Sequence, residues 1–182
     1  PMAVVGPMLL DGVYAKGEFS VPLCTIEGTL AMSMNRGILA SYLCGGTTVR
    51  HFRQELSRAP VFIFDDFDES AKFQSWVEKN KDSIAAAAES TTNYGKVLRI
   101  DQYTVQNYVV LDIVLDTGNA AGQNMVTLAA QVACELIRKK TGHNYFLESN
   151  INSDKKPSVR NMLLGRGHAV AAETVIKNSV MK

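Results

Sequence analysis

The chain has 182 residues, 46% of them apolar and 20% charged, with a formal net charge of +1. That composition belongs to a globular protein, and the near-neutral balance gives no electrostatic ground for binding nucleic acid or an anionic membrane. Cys24, Cys44 and Cys134 are too few and too scattered for a disulfide scaffold or a zinc knuckle, so no metal is expected and the setting reads as reducing and cytoplasmic.

No apolar run reaches the length of a membrane span. The first residue is Pro1, which reads as a processed, trimmed or excerpted start. In chain order, "GPMLLDG" and "KGEFSVPL" predict short strands or extended segments around turns near Asp11-Gly12 and Lys16-Gly17. Leu30, Met34, Ile38 and Tyr42 recur at helical spacing and predict a helix over 28–43, ending at Gly45-Gly46. Its small residues Ala31, Ser33 and Gly37 imply close packing. His51 reads as helical surface.

From residue 60 the pattern is regular. "VFIFDD" (61–66) predicts a strand, and 68–88 a helix capped by Asp68 with Phe73, Trp76, Val77 and Ile84 inward. Segments 96–106 and 108–116 are β-branched and apolar, predicting paired strands about a hairpin at Gln106-Asn107. A helix over 122–140 follows, with Met125, Leu128, Ala129, Val132 and Leu136 on its apolar side. Arg138, Lys139 and Lys140 suit its C-terminal dipole, and Gly142 its stop. Residues 144–149 and 168–177 read as further strands. Strand, helix, strand, strand, helix, strand is the split βαβ, ferredoxin-like order. The predicted fold class is therefore α+β, with a small domain over 60–146 inserted into a larger one made of 1–59 and 147–182.

Neither G-x-G-x-x-G after a strand nor G-x-x-x-x-G-K-[ST] occurs. "DTGNAAGQN" nevertheless runs from a strand into a helix, where small residues admit close approach and helix-start amides can face phosphate. A plain turn with a helix start is the alternative. "STTNYGK" (90–96) is a second polar edge, with Lys96 able to meet an extra phosphate. In "SDKKP" the adjacent lysines read either as solvated surface or as a cation aimed at developing negative charge.

"VPLCTIEGTLAMSMNRG" (21–37), "DTGNAAGQNM" (116–125) and "SDKKPSVRNMLLGRGHAVAAE" (153–173) together resemble the 3-hydroxy-3-methylglutaryl-coenzyme A reductase family, in family order across the chain. The DKKP form is similar to the eukaryotic and archaeal class. The resemblance implies a partial α/β large domain of that type and NADPH or NADH as cofactor. It also implies an acyl-coenzyme A substrate and a homodimer or higher homo-oligomer with shared active sites. It carries the proton-donating acid onto Glu27 and the oxyanion-facing cation onto Lys155, with Asp154 beside it in the substrate site. Arg36 falls on a coenzyme A contact and Arg58 on a contact to the acyl carboxylate or nearby phosphates, with salt bridges as the alternative for both. Cofactor contacts fall on Asn119, Gly122, Gln123 and Asn124, and the adenosine phosphate on Thr92, Asn93 and Tyr94, with Lys96 nearby.

Asn119 stands where the family has an acidic residue, and Asn93 where the NADP-using animal enzyme has arginine. The family's later aspartate, second lysine and late histidine are not matched by residues 158–182, and none of His51, His143 or His168 aligns with that histidine. A shortened, non-catalytic relative that binds nucleotide or coenzyme A, or an oligomer-forming structural piece, is the alternative to an oxidoreductase.

Overall fold

The computed structural model describes residues 1–151 and 158–181. The described residues form an α+β fold with a mixed β-sheet, eight strands and four helices. They divide into two compact units, one bounded by Pro1–Arg53 and Ala169–Lys182, the other by Gln54–His168.

In the first unit β1 (Ala3–Gly12) pairs antiparallel with β2 (Lys16–Leu23), from Ala3 opposite Leu23 to Asp11 opposite Lys16. The reversal falls at 13–15, closed by Gly12 N donating to Ala15 O. Asp11-Gly12 therefore ends one strand and Lys16-Gly17 opens the next, so the two predicted turns are one. β1 also pairs in parallel with the start of β3 (Thr47–Arg58), Leu10 opposite Thr47. The periodicity reading missed β3, because Arg50, Arg53 and Glu55 break up its apolar residues. The strand alternates half-buried and exposed positions from Thr47 to Arg53, the period-two signature of a one-sided strand. His51 thus lies on a strand, not on a helix, and its ring meets Tyr14 edge-on at 5.5 Å.

Helix α1 (Gly28–Leu43) matches the predicted span. It is tied to β1 by Gly6 N donating to Asn35 Oδ1 (2.9 Å) and to β2 by the Tyr42 hydroxyl donating to Glu18 Oε1 (2.6 Å). Of its side chains Ile38 is buried, whereas Met32 and Leu39 are exposed. A Cβ at Gly37 would meet nothing within 4 Å among the described residues, so the expected close packing at Gly37 is not observed. The predicted stop holds for a steric reason: at Gly46, with φ +95°, a Cβ would lie 2.7 Å from Leu9 O. Part of β8 (Gly167–Glu173) and the residues after it complete this unit, with Thr174 Oγ1 2.7 Å from Thr47 Oγ1. The predicted strand to residue 177 stops at Glu173.

In the second unit β4 (Val61–Ile63) leads to α2 (Phe67–Glu89), then β5 (Lys96–Val105) and β6 (Tyr108–Asp116), then α3 (Gln123–Thr141) and β7 (Tyr145–Phe146). The strand order is β5–β6–β4–β7, and every pair is antiparallel. Gln106, at φ +55°, makes the predicted hairpin turn. β4 is shorter than expected because Phe64 N bonds to Asn107 O in that turn, and Asp66 leaves the sheet to cap α2. Asp66, not Asp68, is the cap: its Oδ1 accepts Glu69 N at 2.7 Å. Asp68 instead sits in the first turn, where its charge suits the helix dipole.

The α3 face also needs correction. Leu128 is 55% exposed and Val132 39%, while Val126, Ala129, Ala130, Ala133, Cys134 and Ile137 are buried. Alanines let the helix lie close to its neighbours, so the small residues face inward and two larger ones outward. They pack with Phe62, Phe73, Val77, Leu111 and Ile113 into one apolar core. Gly142, at φ +81°, ends α3 as predicted, its amide donating to Arg138 O. A short helix, α4 (Val159–Leu164), was not anticipated.

Burial pushes the Cys134 thiol up to about 12. Since the thiolate is the nucleophile, Cys134 is expected to resist iodoacetamide at pH 8 in the native protein while exposed Cys24 reacts. Mass spectrometry of labelled peptides, before and after unfolding, checks this; native labelling of Cys134 would contradict the packing of α3.

Candidate cofactor-binding site

Strand β6 passes into α3 through residues 117–122. The buried Thr117 donates its hydroxyl to Ala120 O (2.9 Å), and Ala120 N donates back to Thr117 O (3.2 Å). Asp116 Oδ1 accepts Gly118 N at 2.9 Å, and Gln54 Nε2 donates to the Gly118 carbonyl. The turn is thus shaped from below by side chains. Asn119, Ala120 and Ala121 lie exposed on top of it. Gly122 caps α3 at φ +81°, and a Cβ there would sit 2.4 Å from Thr117 Cγ2. Among the described residues no side chain caps the helix at Gly122. The first bond of the ladder is Val126 N to Gly122 O, so the amides of Gln123, Asn124 and Met125 precede it. A turn of small residues opening on such a helix start fits an anionic group such as a pyrophosphate.

The second polar edge lies beside the first. Thr92 Oγ1 accepts Tyr94 N and Gly95 N, both at 3.1 Å, which folds 92–95 into a tight turn. A Cβ on Gly95 would come within 2.7 Å of Met125 Sδ, in the first turn of α3. In the sheet, Lys96 stands opposite Asp116. Thr92, Asn93, Tyr94 and Lys96 are therefore brought to the same end of the unit as Asn119, Gly122, Gln123 and Asn124. Asn93 and Tyr94 are exposed.

The Lys96 ammonium lies 3.2 Å from Glu89 Oε2, and Glu89 Oε1 accepts Val97 N at 2.8 Å. The Val97 amide, with Lys96 adding to it, holds the Glu89 carboxyl below the usual carboxylate range. Sequence reading missed Glu89, since nothing in a helix-terminal glutamate marks it as the partner of a lysine across a turn. A depressed folded pKa contributes stability above the unfolded value and loses it as pH falls through the folded one. Glu89→Gln is accordingly expected to lower Tm at pH 7, by an amount that shrinks as pH falls through the acid range; thermal unfolding across that range checks it.

Arg58 is buried and committed inside this unit. Its Nη1 lies 2.8 Å from Glu148 Oε2, and its Nη2 donates to Thr127 Oγ1 at 2.8 Å. Of the two readings of Arg58, the salt bridge is the one visible in the structure.

Glu27 and Arg36 belong to the first unit. Glu27 precedes α1, its amide donating to Thr25 Oγ1 (3.0 Å) and its Oε1 accepting the Thr29 hydroxyl (3.2 Å). The carboxylate is exposed, so any desolvation that a proton donor needs has to come from outside the described residues. Arg36 lines a shallow depression on α1 with Thr29, Met32 and Ser33. Asp154 and Lys155 lie outside the described residues. Among those residues there is no group of three or more His, Cys, Asp or Glu placed to hold a metal, and no helix is long and apolar enough to cross a membrane.

The same α+β architecture occurs in a solved structure. The class II 3-hydroxy-3-methylglutaryl-CoA reductase of Streptococcus pneumoniae, solved bound to NADPH in open conformations, matches 81% of this chain and 40% of its own with a TM-score of 0.61. At 15% identity that likeness shows the fold alone. The sequence goes further: the hydroxymethylglutaryl-coenzyme A reductase family model matches residues 1–182, and the chain belongs to that family. The 3-hydroxy-3-methylglutaryl-coenzyme A reductase of Methanothermobacter thermautotrophicus is 39% identical over 184 residues, covering 100% of this chain and 46% of that protein. The Halobacterium salinarum enzyme of the same name is also 39% identical, with 45% of its length covered. The chain thus spans just under half the length of these relatives.

Proposed function

We propose that the chain forms the cofactor-binding part, and some of the substrate-binding part, of an enzyme that reduces 3-hydroxy-3-methylglutaryl-coenzyme A to mevalonate and free coenzyme A. Residues 60–146 are the inserted ferredoxin-like nicotinamide domain, and 1–59 and 147–182 belong to the large domain. The strand order β5–β6–β4–β7, with helices after β4 and β6, supports this, since it is the order of a split βαβ unit. The observation that carries the functional reading is the convergence of the 92–96 turn and the 116–125 turn at one end of that unit.

Gln123 and Asn124 offer first-turn amides to the pyrophosphate, and Asn119 lies on the exposed turn beside them. Thr92, Asn93 and Tyr94 border the adenosine phosphate. Two reduced nicotinamides bound in turn would each supply one of the two hydrides that take the thioester to a primary alcohol with release of coenzyme A. The carbonyl oxygen gains negative charge at each addition, and the Lys155 ammonium holds it more strongly than it holds the neutral carbonyl. Asp154, beside that lysine in sequence, belongs to the substrate site, Glu27 delivers protons to the reacting oxygen, and Arg36 meets coenzyme A phosphates. Arg58, at the end of β3, acts from beneath α3, holding Thr127 of that helix near the segment at Glu148. The active site is shared between subunits of a homodimer or higher homo-oligomer.

Following nicotinamide absorbance with and without the acyl-coenzyme A substrate tests the reading. Oxidation that depends on the thioester supports it. Cofactor binding without any oxidation would favour the non-catalytic alternative. In the same assay NADH is expected to serve at least as well as NADPH, because Asn93 carries no charge and Lys96 is already paired with Glu89. A strong preference for NADPH that is lost in Lys96→Met would contradict that assignment of Lys96.

A further inference from the structure

Strand β6 carries a fully buried aspartate that the cofactor reading does not use. Asp112 is 0% exposed, with Leu111 and Ile113 beside it turned into the core against α2 and α3. On the opposite face its Oδ2 accepts the Arg160 Nε–H at 2.5 Å, and the Arg160 side chain is only 8% exposed. Arg160 also donates from Nη1 to Gly165 O at 3.1 Å, so one side chain ties both ends of α4 to the central strand. That helix is short. It has six residues, far too few to be stable alone. Val159, Met162 and Leu163 are 69%, 78% and 68% exposed, and Leu164 is only half-buried.

A buried ion pair adds little net stability over apolar side chains of similar size, because both charges are desolvated. Its use here lies in fixing a geometry. We infer that Arg160 and Asp112 are positioning residues for reduction: by anchoring α4, the pair fixes the point from which the chain runs back, through Ser158, to the segment bearing Lys155. This rests on the assignment of Lys155 as the oxyanion cation. The pair touches no substrate and acts through the lysine.

The test is the double variant Asp112→Leu with Arg160→Met in the intact protein, with Asp112→Asn and Arg160→Gln as a neutral, near-isosteric pair should the first not fold. The double variant is expected to unfold at or above the parent temperature. Its amides over 159–165 should exchange at least about ten-fold faster while those of 108–116 do not. Turnover should fall at least about ten-fold with unchanged nicotinamide affinity, and Arg160→Lys alone should restore part of it. Unchanged exchange over 159–165, or turnover that recovers along with the melting temperature, overturns the inference. If the parent protein reduces no thioester, the reductase reading falls instead, and with it the lysine as the object positioned. The exchange result still decides whether the pair holds α4.

Discussion

Alanine at Lys155 is expected to lower kcat for thioester reduction by about a hundred- to a thousand-fold, the loss typical of removing one oxyanion-stabilising donor. The effect should fall on kcat more than on KM. The ammonium meets full negative charge only after hydride has added, so its interaction is stronger in the transition state than with the bound ester. Nicotinamide affinity should stay at the parent value, since the turns proposed for the cofactor at 92–96 and 116–125 are separate from residue 155 in sequence and hold themselves together by their own bonds. Steady-state kinetics with a parallel binding titration separates the two quantities. A Lys155→Ala protein with unaltered kcat would show that the lysine is solvated surface, the other reading the sequence allows.

Gly122→Ala has the second largest expected effect, this time on stability and cofactor binding together. The residue sits at φ +81°, where a side chain costs about 1–2 kcal/mol. The new Cβ would also stand 2.4 Å from Thr117 Cγ2 and 2.7 Å from Thr117 Cβ. Thr117 has little room to retreat, being buried and hydrogen-bonded to Ala120. Relieving the overlap adds about 1–3 kcal/mol, for a total of roughly 3.5 kcal/mol at the centre of these ranges. Because the shift moves the turn that opens on the α3 amides, nicotinamide affinity is expected to fall as well. Denaturant unfolding and a fluorescence titration check both. Gly118→Ala offers a contrast: its φ is also positive, but a Cβ there meets nothing within 4 Å among the described residues, so it should be the milder change.

The elements that declared themselves in the sequence are those with one dominant pattern. Helix α1 carries such a pattern, the β5–β6 hairpin showed itself by β-branched, apolar runs on either side of a turn, and the glycines at 45–46 and 142 stop helices where only a residue without Cβ fits or is favoured. Strand β3 escaped because its exposed and half-buried positions both carry charged or polar residues, so its alternation shows in burial and not in hydropathy. On α3 residue size misled, since alanines were what allowed close approach. The turns of the candidate site were visible as small and polar residues interrupting apolar runs. What holds them was not. Gln54 beneath Gly118 and Glu148 beside Arg58 are partners distant in sequence, Glu89 beside Lys96 is a partner across a turn, and a single charged or amide residue gives no local sign of its mate. Asp112 is the sharpest example: a charge inside an apolar strand breaks the pattern, and its explanation, Arg160, lies on a helix too short to have a period.

The stoichiometry of reduction tests the central claim most directly. Taking a thioester to a primary alcohol consumes two hydrides and two protons and releases one thiol, so nicotinamide oxidised and coenzyme A thiol released can be counted in one reaction of the intact protein with 3-hydroxy-3-methylglutaryl-coenzyme A. A ratio of two nicotinamides per thiol is the predicted result. A ratio of one, or thiol released with no nicotinamide consumed, would contradict it.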